Sequence, residues 1–296
     1  MSGATVIAHR GASAYAPENT LAAFRLAVEM GAPWIELDCS LSRDGHAIVM
    51  HDLAVDRTTN GAGLVRALSL AELKNLDAGA WKDPRFAGER VPVLEEVLDF
   101  ARNRLRVLIE IKSMDDLGNE LREAIQKIFL RHDDPSRARS EAMRLIAHSG
   151  TPDLALTRKV IRAVCETGMQ DWVTLQSFSP IPGLIAAAEA PQIARALLAH
   201  DLSNRSSAWE DFLFWGGAIG IRDFNVHWNS IDAVRMEAVR RLGWRVSCWT
   251  VDAPDEMMTC LRLGVDGLIT NRPDVAMRVA DAWRRGNAPP ERVEKR

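Results

Sequence analysis

Eight short hydrophobic segments alternate with helical segments along almost the whole chain, and this alternation is what most constrains the fold. The strand-like segments begin near residues 5, 34, 106, 172, 193, 221, 244 and 267. Because a helical segment lies between successive strands, the pattern is typical of parallel strands joined by crossover helices. Eight such units predict a closed (β/α)8 barrel, a TIM-like α/β fold. A doubly wound open sheet is the alternative.

Two stretches are longer than a simple strand-to-helix connection needs. Residues 52–92, after the second strand, are rich in turn-forming residues, and residues 113–170, after the third, are charged with helical periodicity. The turn SRDG (42–45) followed by HAIVMH (46–51) predicts a further strand paired with the second. We therefore expect one barrel domain over residues 1–296, with an insertion and a helical embellishment.

The composition excludes several classes of protein. With 296 residues, 47% of them hydrophobic, the chain can bury a substantial core. The net charge of −3 and the lack of a lysine and arginine block argue against nucleic-acid binding. We expect neither a transmembrane segment nor a secretory leader, because the apolar runs are too short. The scattered cysteines predict reduced thiols in a cytoplasmic protein: Cys39, Cys165, Cys248 and Cys260.

Three carboxylates lie on strands that are predicted to be neighbours. Glu36 and Asp38 are two residues apart in WIELD (34–38), so their side chains leave the same face of the strand. Glu110 in RVLIEIK (106–112) follows the same logic. Without a CxxC motif or a histidine pair, such a set of oxygens suits Mg²⁺, Ca²⁺ or Mn²⁺ better than zinc or copper. A solvated strand edge is the alternative interpretation.

The basic residues near these carboxylates indicate an anionic ligand. Three carboxylates (−3), one divalent cation (+2) and the pair Arg10 and Lys112 (+2) sum to +1, which a phosphodiester monoanion would neutralise. Gln176 and Trp249, at the ends of later strands, are further candidates for substrate binding. A tryptophan at a strand end can equally be part of the core.

Two histidines could move protons at such a site. His9 ends the first strand and His51 follows HAIVM, and an imidazole with a pKa near ~6.5 can donate or accept a proton at neutral pH. The sequence leaves open which of them is the base. Asp52 could orient His51 or only form a turn. The remaining histidines have no matching partners and are predicted to be structural: His46, His132, His148, His200 and His227.

Several motifs occur in an order that resembles a known family. They are HRG, PENT, ExD, HDxxxxRTTxGxG, ExK, QSF, WTV and GVDGLITNRPD. Together they are similar to the glycerophosphodiester phosphodiesterases. This resemblance implies a metal-dependent TIM-like barrel that cleaves small glycerophosphodiesters, such as glycerophosphocholine, to sn-glycerol 3-phosphate and an alcohol.

The resemblance also implies roles for residues that match the motifs. It makes His9 and His51 the acid and base, and it gives Arg10 and Lys112 contacts with the phosphate. The ligands of a divalent metal ion are then Glu36, Asp38 and Glu110. Attack by the glycerol 2-hydroxyl, through a cyclic phosphate, or directly by water are both open.

The chain departs from the family pattern in two places. The 113–170 stretch is long, and Asn271 stands where an aspartate often follows the last strand. We expect neither departure to touch the catalytic or metal-binding residues. Two other functions stay open: a lysophospholipase D-type or other phosphodiesterase, with FLFWGGAIG (212–220) as an apolar rim, and a barrel that binds metal and phosphate esters without turnover. The sequence does not predict the oligomeric state.

Overall fold

Nine strands form one sheet in the computed structural model, which describes residues 3–113, 118–203 and 206–286. The strands are β1 (Thr5–Ala8), β2 (Trp34–Leu41), β3 (Ala47–Val49), β4 (Arg106–Ile111), β5 (Val173–Ser177), β6 (Ala194–Ala199), β7 (Asp223–His227), β8 (Arg245–Trp249) and β9 (Gly267–Thr270). All except β3 are parallel, and β1 pairs with both β2 and β9, so the sheet closes. The predicted barrel is confirmed, and the open sheet is wrong.

Helices connect the strands on the outside of the barrel. They are α1 (Leu21–Glu29), α2 (Leu70–Asn75), α3 (Leu94–Ala101), α4 (Gly118–Arg131), α5 (Pro135–Ser149), α6 (Pro152–Glu166), α7 (Pro180–Glu189), α8 (Ser206–Ile219), α9 (Ala233–Arg241), α10 (Pro254–Leu263) and α11 (Pro273–Arg284). The Thr20 hydroxyl caps α1 by accepting a hydrogen bond from the backbone N–H of Ala23. Proline begins five helices, where its missing N–H costs no helical hydrogen bond.

Successive side chains along each strand point alternately to the surrounding helices and to the interior of the barrel. Leu37 of β2 and Ile109 of β4 face outward and pack with Val97 and Val160 of the surrounding helices. Leu108, between the outward residues of β4, packs inside the barrel. Because the strand period is two, Glu36, Asp38 and Glu110 face the interior as well. The barrel therefore places its acidic residues above an apolar floor.

The insertion after β2 has an apolar cluster of its own. β3 pairs antiparallel with β2, as predicted, and the chain then forms short helical turns and α2. The clustered residues are Ile48, Met50, Val55, Val65, Leu73, Ala78 and Val91. Lys82 Nζ donates to the carbonyl oxygen of Ser13 (2.8 Å), and Arg85 donates to that of Tyr15 (3.2 Å). The insertion is thereby held against the loop that follows β1.

The predicted helical embellishment between β4 and β5 is also present. It consists of α4, α5 and α6, although one helix is enough to join two parallel strands. Val160 of α6 packs in the same cluster as β4, so α6 is the helix that covers the barrel. Ile125 of α4 packs in the cluster that contains Trp215 of α8, and Arg122 of α4 pairs with Asp211 of α8. The extra helices thus extend the wall outside β6.

Residues 212–220, the candidate apolar rim, lie on the helical wall of the barrel. This segment forms the end of α8, and Phe212 and Trp215 are only 6% and 1% exposed. The Phe212 ring packs against Phe224 of β7 with the centroids 4.9 Å apart. Phe212 and Trp215 thus pack toward the sheet, as helical spacing directs, and they also line a cavity beside Phe178 and His200. No helix among the described residues is long and apolar enough to cross a membrane.

Candidate active site

The three predicted acidic residues lie together at the carboxyl end of the barrel strands. The β2–β4 register places Asp38 opposite Glu110, and the β4–β5 register places Glu110 opposite Gln176. Glu36, Asp38 and Glu110 are buried, and one carboxylate oxygen from each lies within 4.8 Å of the others. The arrangement offers three oxygen ligands to a single cation.

Two cations already face this cluster. Lys112 Nζ lies 2.7 Å from Glu110 Oε1 and 3.2 Å from Asp38 Oδ1. Arg10 Nε lies 3.3 Å from Asp38 Oδ2. Two positive charges against three carboxylates leave one negative charge unbalanced in a buried site. A bound divalent cation would change this net charge from −1 to +1, which suits a phosphodiester monoanion.

The imbalance changes the acidity of the carboxyl groups. Burial and the charge of Asp38 raise the pKa of Glu110 to about 7, and burial with repulsion from Asp38 and Glu110 raises the pKa of Glu36 well above its usual range. Burial also acts to raise the pKa of Asp38, but Lys112 and Arg10 outweigh it and hold that pKa below its usual range. Excess negative charge on oxygen donors fits Mg²⁺, Ca²⁺ or Mn²⁺.

The loop after β1 closes over the acidic cluster through its backbone. Arg10 and Asn19 adopt left-handed conformations, with φ of 55° and 58°, that are unfavourable for residues other than glycine. The backbone N–H of Arg10 donates to Glu36 Oε2 (3.0 Å). Asn19 Nδ2 donates to Asp38 Oδ2 (2.8 Å). These hydrogen bonds hold the unfavourable backbone, which is common at functional sites.

His9 lies between the acidic cluster and the end of β9. Its Nε2 is 4.0 Å from Glu36 Oε2, and its Nδ1 is 2.7 Å from Asn271 Oδ1. Burial, followed by the charge of Arg10, lowers the pKa of His9 to about 4. The expectation that Asn271 stays away from the catalytic residues is therefore wrong. Because β9 pairs with β1, the residue after β9 lies beside the residue after β1.

His51 has a different partner. Its Nδ1 lies 2.6 Å from Asp52 Oδ1, so Asp52 orients the ring, which was one of the two interpretations of this residue. Hydrogen bonds from Arg57 are the main reason that the pKa of Asp52 falls to about 2. Burial lowers the pKa of His51, and the charge of Asp38 partly offsets that effect. The two imidazoles therefore differ, since one contacts an amide and the other a carboxylate.

Arg57, to which the sequence alone assigned no role, connects the two loops that carry His9 and His51. Its Nε and Nη2 donate to the carboxylate of Asp52 at 2.5 and 3.1 Å. Its Nη1 and Nη2 donate to Glu18 at 2.9 and 2.7 Å. Glu18 in turn accepts from Arg10 Nη1 at 2.9 Å. Glu18 belongs to the PENT motif and Arg57 to the RTT motif. The motifs alone do not show that the two side chains are hydrogen-bonded to each other.

Replacing Arg57 with alanine should lower the turnover number roughly tenfold, because Asp52 loses the group that holds it against His51. The measurement is steady-state hydrolysis of a glycerophosphodiester by the purified variant. Arg43→Ala is the matched control, since Arg43 is also an exposed arginine but lies in the turn between β2 and β3 and pairs with Glu72 on α2. Equal activity of the two variants would contradict a role for Arg57 in orienting Asp52.

Gln176 and Trp249 occupy different parts of the pocket. Gln176 Nε2 lies 3.4 Å from Glu36 Oε1, and Gln176 Oε1 accepts from Asn225 Nδ2 at 2.7 Å. The amide thus supports a predicted metal ligand. Trp249 packs on the apolar residues inside the barrel and donates its indole N–H to the carbonyl oxygen of Asn225 (3.2 Å). The indole therefore lies at the carboxyl end of β8, against the apolar residues inside the barrel.

Aromatic rings line the mouth of the barrel on the side opposite the loops that carry His9 and His51. The Phe178 and His200 rings stack with centroids 4.1 Å apart, and Trp249 meets both Phe178 and His227 edge to face. Phe178 and His200 also line a cavity of about 200 Å³ that reaches Arg122 of α4. His200 and His227, which were expected to be structural, thus lie at the mouth. The cavity beside His200 reaches the helical embellishment.

The sequence is similar to one family over almost its whole length. Residues 9–275 match the Glycerophosphoryl diester phosphodiesterase family. A glycerophosphodiester phosphodiesterase of Caldanaerobacter subterraneus subsp. tengcongensis is 34% identical over 272 residues, covering 91% of this chain and 94% of the relative. A glycerophosphodiester phosphodiesterase of Bacillus subtilis is 30% identical over 290 residues, covering 94% and 86%.

Solved structures show the same similarity. A phosphodiesterase of Oleispira antarctica, in complex with the product sn-glycerol-3-phosphate, superposes with a TM-score of 0.77 at 26% identity, covering 94% of this chain and 97% of that one. A glycerophosphodiester phosphodiesterase of Agrobacterium tumefaciens gives a TM-score of 0.66 at 28% identity, covering 92% and 98%. The likeness therefore includes the barrel and both of its added segments.

Proposed function

Because the chain belongs to the glycerophosphoryl diester phosphodiesterase family, we propose that it hydrolyses glycerophosphodiesters to sn-glycerol 3-phosphate and an alcohol. The observation that carries this proposal is one buried group of side chains. Three carboxylates lie within 4.8 Å of one another, with Arg10, Lys112 and His9 in contact with them. This combination can bind a phosphodiester and transfer the protons that its cleavage requires.

Glu36, Asp38 and Glu110 are the residues that would hold a divalent metal ion. When bound there, Mg²⁺, Ca²⁺ or Mn²⁺ polarises a phosphoryl oxygen and makes the phosphorus more electrophilic. Arg10 and Lys112 stabilise the negative charge that develops on the phosphoryl oxygens during attack. Both cations are already fixed beside the acidic cluster, so little ordering is needed when the substrate arrives.

The two histidines perform the proton transfers. His9 takes the proton of the attacking hydroxyl, and His51 donates a proton to the alcohol oxygen as its bond to phosphorus breaks. The partners support this assignment, because the Asp52 carboxylate stabilises a protonated ring and the Asn271 amide adds no negative charge. Attack by water, or by the glycerol 2-hydroxyl followed by hydrolysis of a cyclic phosphate, needs the same base and acid.

Two further side chains, Trp249 and Gln176, contribute to substrate binding. The Trp249 indole contacts the glycerol carbons, and Gln176 binds the substrate beside Glu36. We propose that residues 1–296 act as one barrel domain on a small-molecule substrate. A cytoplasmic location agrees with the free thiols of all four cysteines.

A panel of substrates tests the proposed function. Glycerophosphocholine, glycerophosphoethanolamine and lysophosphatidylcholine are each incubated with the protein and a divalent cation, and sn-glycerol 3-phosphate, lysophosphatidic acid and free alcohol are measured. We expect the glycerophosphodiesters to give equimolar sn-glycerol 3-phosphate and alcohol, with a higher kcat/KM than the lysophospholipid. Preferential release of lysophosphatidic acid would support the lysophospholipase D-type alternative, and no turnover of any substrate would support a binding protein.

A further inference from the structure

A chain of hydrogen bonds links Asp252, after β8, to Asn271, after β9, and to His9, after β1. We propose that Asn271 is a positioning residue that fixes the tautomer of His9, and that Asp252 fixes the orientation of the Asn271 amide. The proposal rests on the function proposed above for His9. The chain of hydrogen bonds thus connects the ends of β8, β9 and β1, which are neighbours in the barrel, and it ends at the His9 imidazole.

The orientation of the Asn271 amide follows from its partner. Asp252 Oδ2 lies 2.7 Å from Asn271 Nδ2, while Asp252 Oδ1 accepts from the backbone N–H of Asn271 (2.8 Å) and from Thr270 Oγ1 (2.9 Å). A carboxylate surrounded by donors only accepts, so the NH₂ group of Asn271 has to face it. The amide oxygen then has to face the opposite side, toward His9. Hydrogen-bond chemistry therefore settles an assignment that atomic positions alone leave ambiguous.

The amide oxygen in turn determines which nitrogen of His9 carries a proton. Asn271 Oδ1 lies 2.7 Å from His9 Nδ1, and an amide oxygen cannot donate. Nδ1 is therefore protonated, and Nε2 of the neutral ring presents a lone pair. Nε2 is also the nitrogen 4.0 Å from Glu36 Oε2, on the side of the acidic cluster. This is the tautomer that a base acting at the cluster needs.

The backbone completes the support of His9. The N–H of His9 donates to the carbonyl oxygen of Thr270 (2.8 Å), and Ser13 Oγ lies 2.7 Å from the carbonyl oxygen of His9 and 2.8 Å from Asn271 Oδ1. Both the main chain and the ring of His9 are thus anchored on the end of β9. A change at Asn271 should consequently alter the direction of the ring as well as its tautomer.

The test uses the full chain and needs no turnover. Protein labelled with ¹⁵N-histidine is examined by long-range ¹H–¹⁵N NMR near pH 7, and the His9 signals are identified by their loss in His9→Gln. We expect wild-type His9 to be protonated at Nδ1. In Asn271→Ala this preference should be lost and kcat should fall roughly 10- to 100-fold, with KM little changed. In Asp252→Asn the new amide oxygen stays on the Thr270 hydroxyl and the Asn271 backbone N–H, so its NH₂ group faces the Asn271 side chain. The Asn271 amide should then reverse and shift His9 toward the Nε2-protonated tautomer.

Two further variants separate positioning from general stability. Asn271→Asp keeps an acceptor for Nδ1, and its second oxygen, 2.7 Å from Asp252 Oδ2, shares one proton with that carboxylate, so this variant should preserve the wild-type tautomer. Tyr15→Phe is the control, because it removes a different hydrogen bond from the loop after β1 to the segment after β9, that from the Tyr15 hydroxyl to Asp274 (2.8 Å). It should change neither the tautomer nor kcat.

An unchanged His9 tautomer in Asn271→Ala would overturn the proposal, even if that variant were less stable. If the tautomers change as expected but no glycerophosphodiester is hydrolysed by the wild type, the proposed function fails and the tautomer assignment stands.

Discussion

Replacing either His9 or His51 with alanine should lower kcat for release of sn-glycerol 3-phosphate by roughly 100- to 10,000-fold, the usual contribution of a general acid or base. Each variant should remain folded, because both rings lie at the mouth of the barrel and outside its apolar clusters. The measurements are steady-state kinetics and thermal unfolding. His148→Ala is the control, since that histidine is exposed on α5. Near-normal activity of both site variants would remove the two histidines from the mechanism.

A substrate with a better leaving group distinguishes the two roles. Glycerophospho-p-nitrophenol releases a phenolate that needs no proton, so His51→Ala should hydrolyse it much better, relative to wild type, than it hydrolyses glycerophosphocholine. His9→Ala should be impaired on both substrates, because the attacking hydroxyl still has to lose its proton. The reverse pattern would make His9 the acid and His51 the base.

Removing divalent metal ions should reduce hydrolysis to background, and adding back Mg²⁺, Ca²⁺ or Mn²⁺ should restore it. Glu110→Gln should weaken metal binding in calorimetry because it removes one of the three converging carboxylates. Glu141→Gln is the control, since Glu141 lies on α5 and pairs with His132. Full activity after chelation, or equal metal affinity of Glu110→Gln and wild type, would contradict the proposed metal site.

Metal binding should also depend on pH in a defined direction. The pKa of Glu110 is raised to about 7, so without metal this carboxyl group is partly protonated at neutral pH. A cation binds the carboxylate form and releases the proton, and its apparent affinity should therefore weaken as the pH falls from 8 to 6. Calorimetry in buffers of different ionisation enthalpy measures the number of protons released.

The barrel was predictable because its strands are separated by regular helical segments. The sequence positions of β1, β2 and β4 to β9 follow from short apolar runs, and the β2–β3 hairpin follows from SRDG. Closure itself was not encoded locally, since it depends on β1 pairing with both β2 and β9. The burial of Phe212 and Trp215 was not predictable either, because composition alone does not show which side chains of an apolar segment face the core.

The acidic part of the site was predictable from the positions of its residues on the predicted strands. A spacing of two along β2 places Glu36 and Asp38 on one face, and the neighbouring strand adds Glu110 in register. Contacts between loops were not predictable. Asn271 reaches His9 across 262 positions of sequence only because the barrel closes, and Arg57 joins Glu18 to Asp52 only because the insertion folds back over the mouth.

We propose that Glu36, Asp38 and Glu110 hold one divalent cation beside His9 and His51. Anomalous diffraction from crystals grown with Mn²⁺ tests it most directly. We expect one strong peak within about 2.0 to 2.6 Å of a carboxylate oxygen from each of the three residues. A peak elsewhere, or no peak between these carboxylates at saturating Mn²⁺, would contradict it.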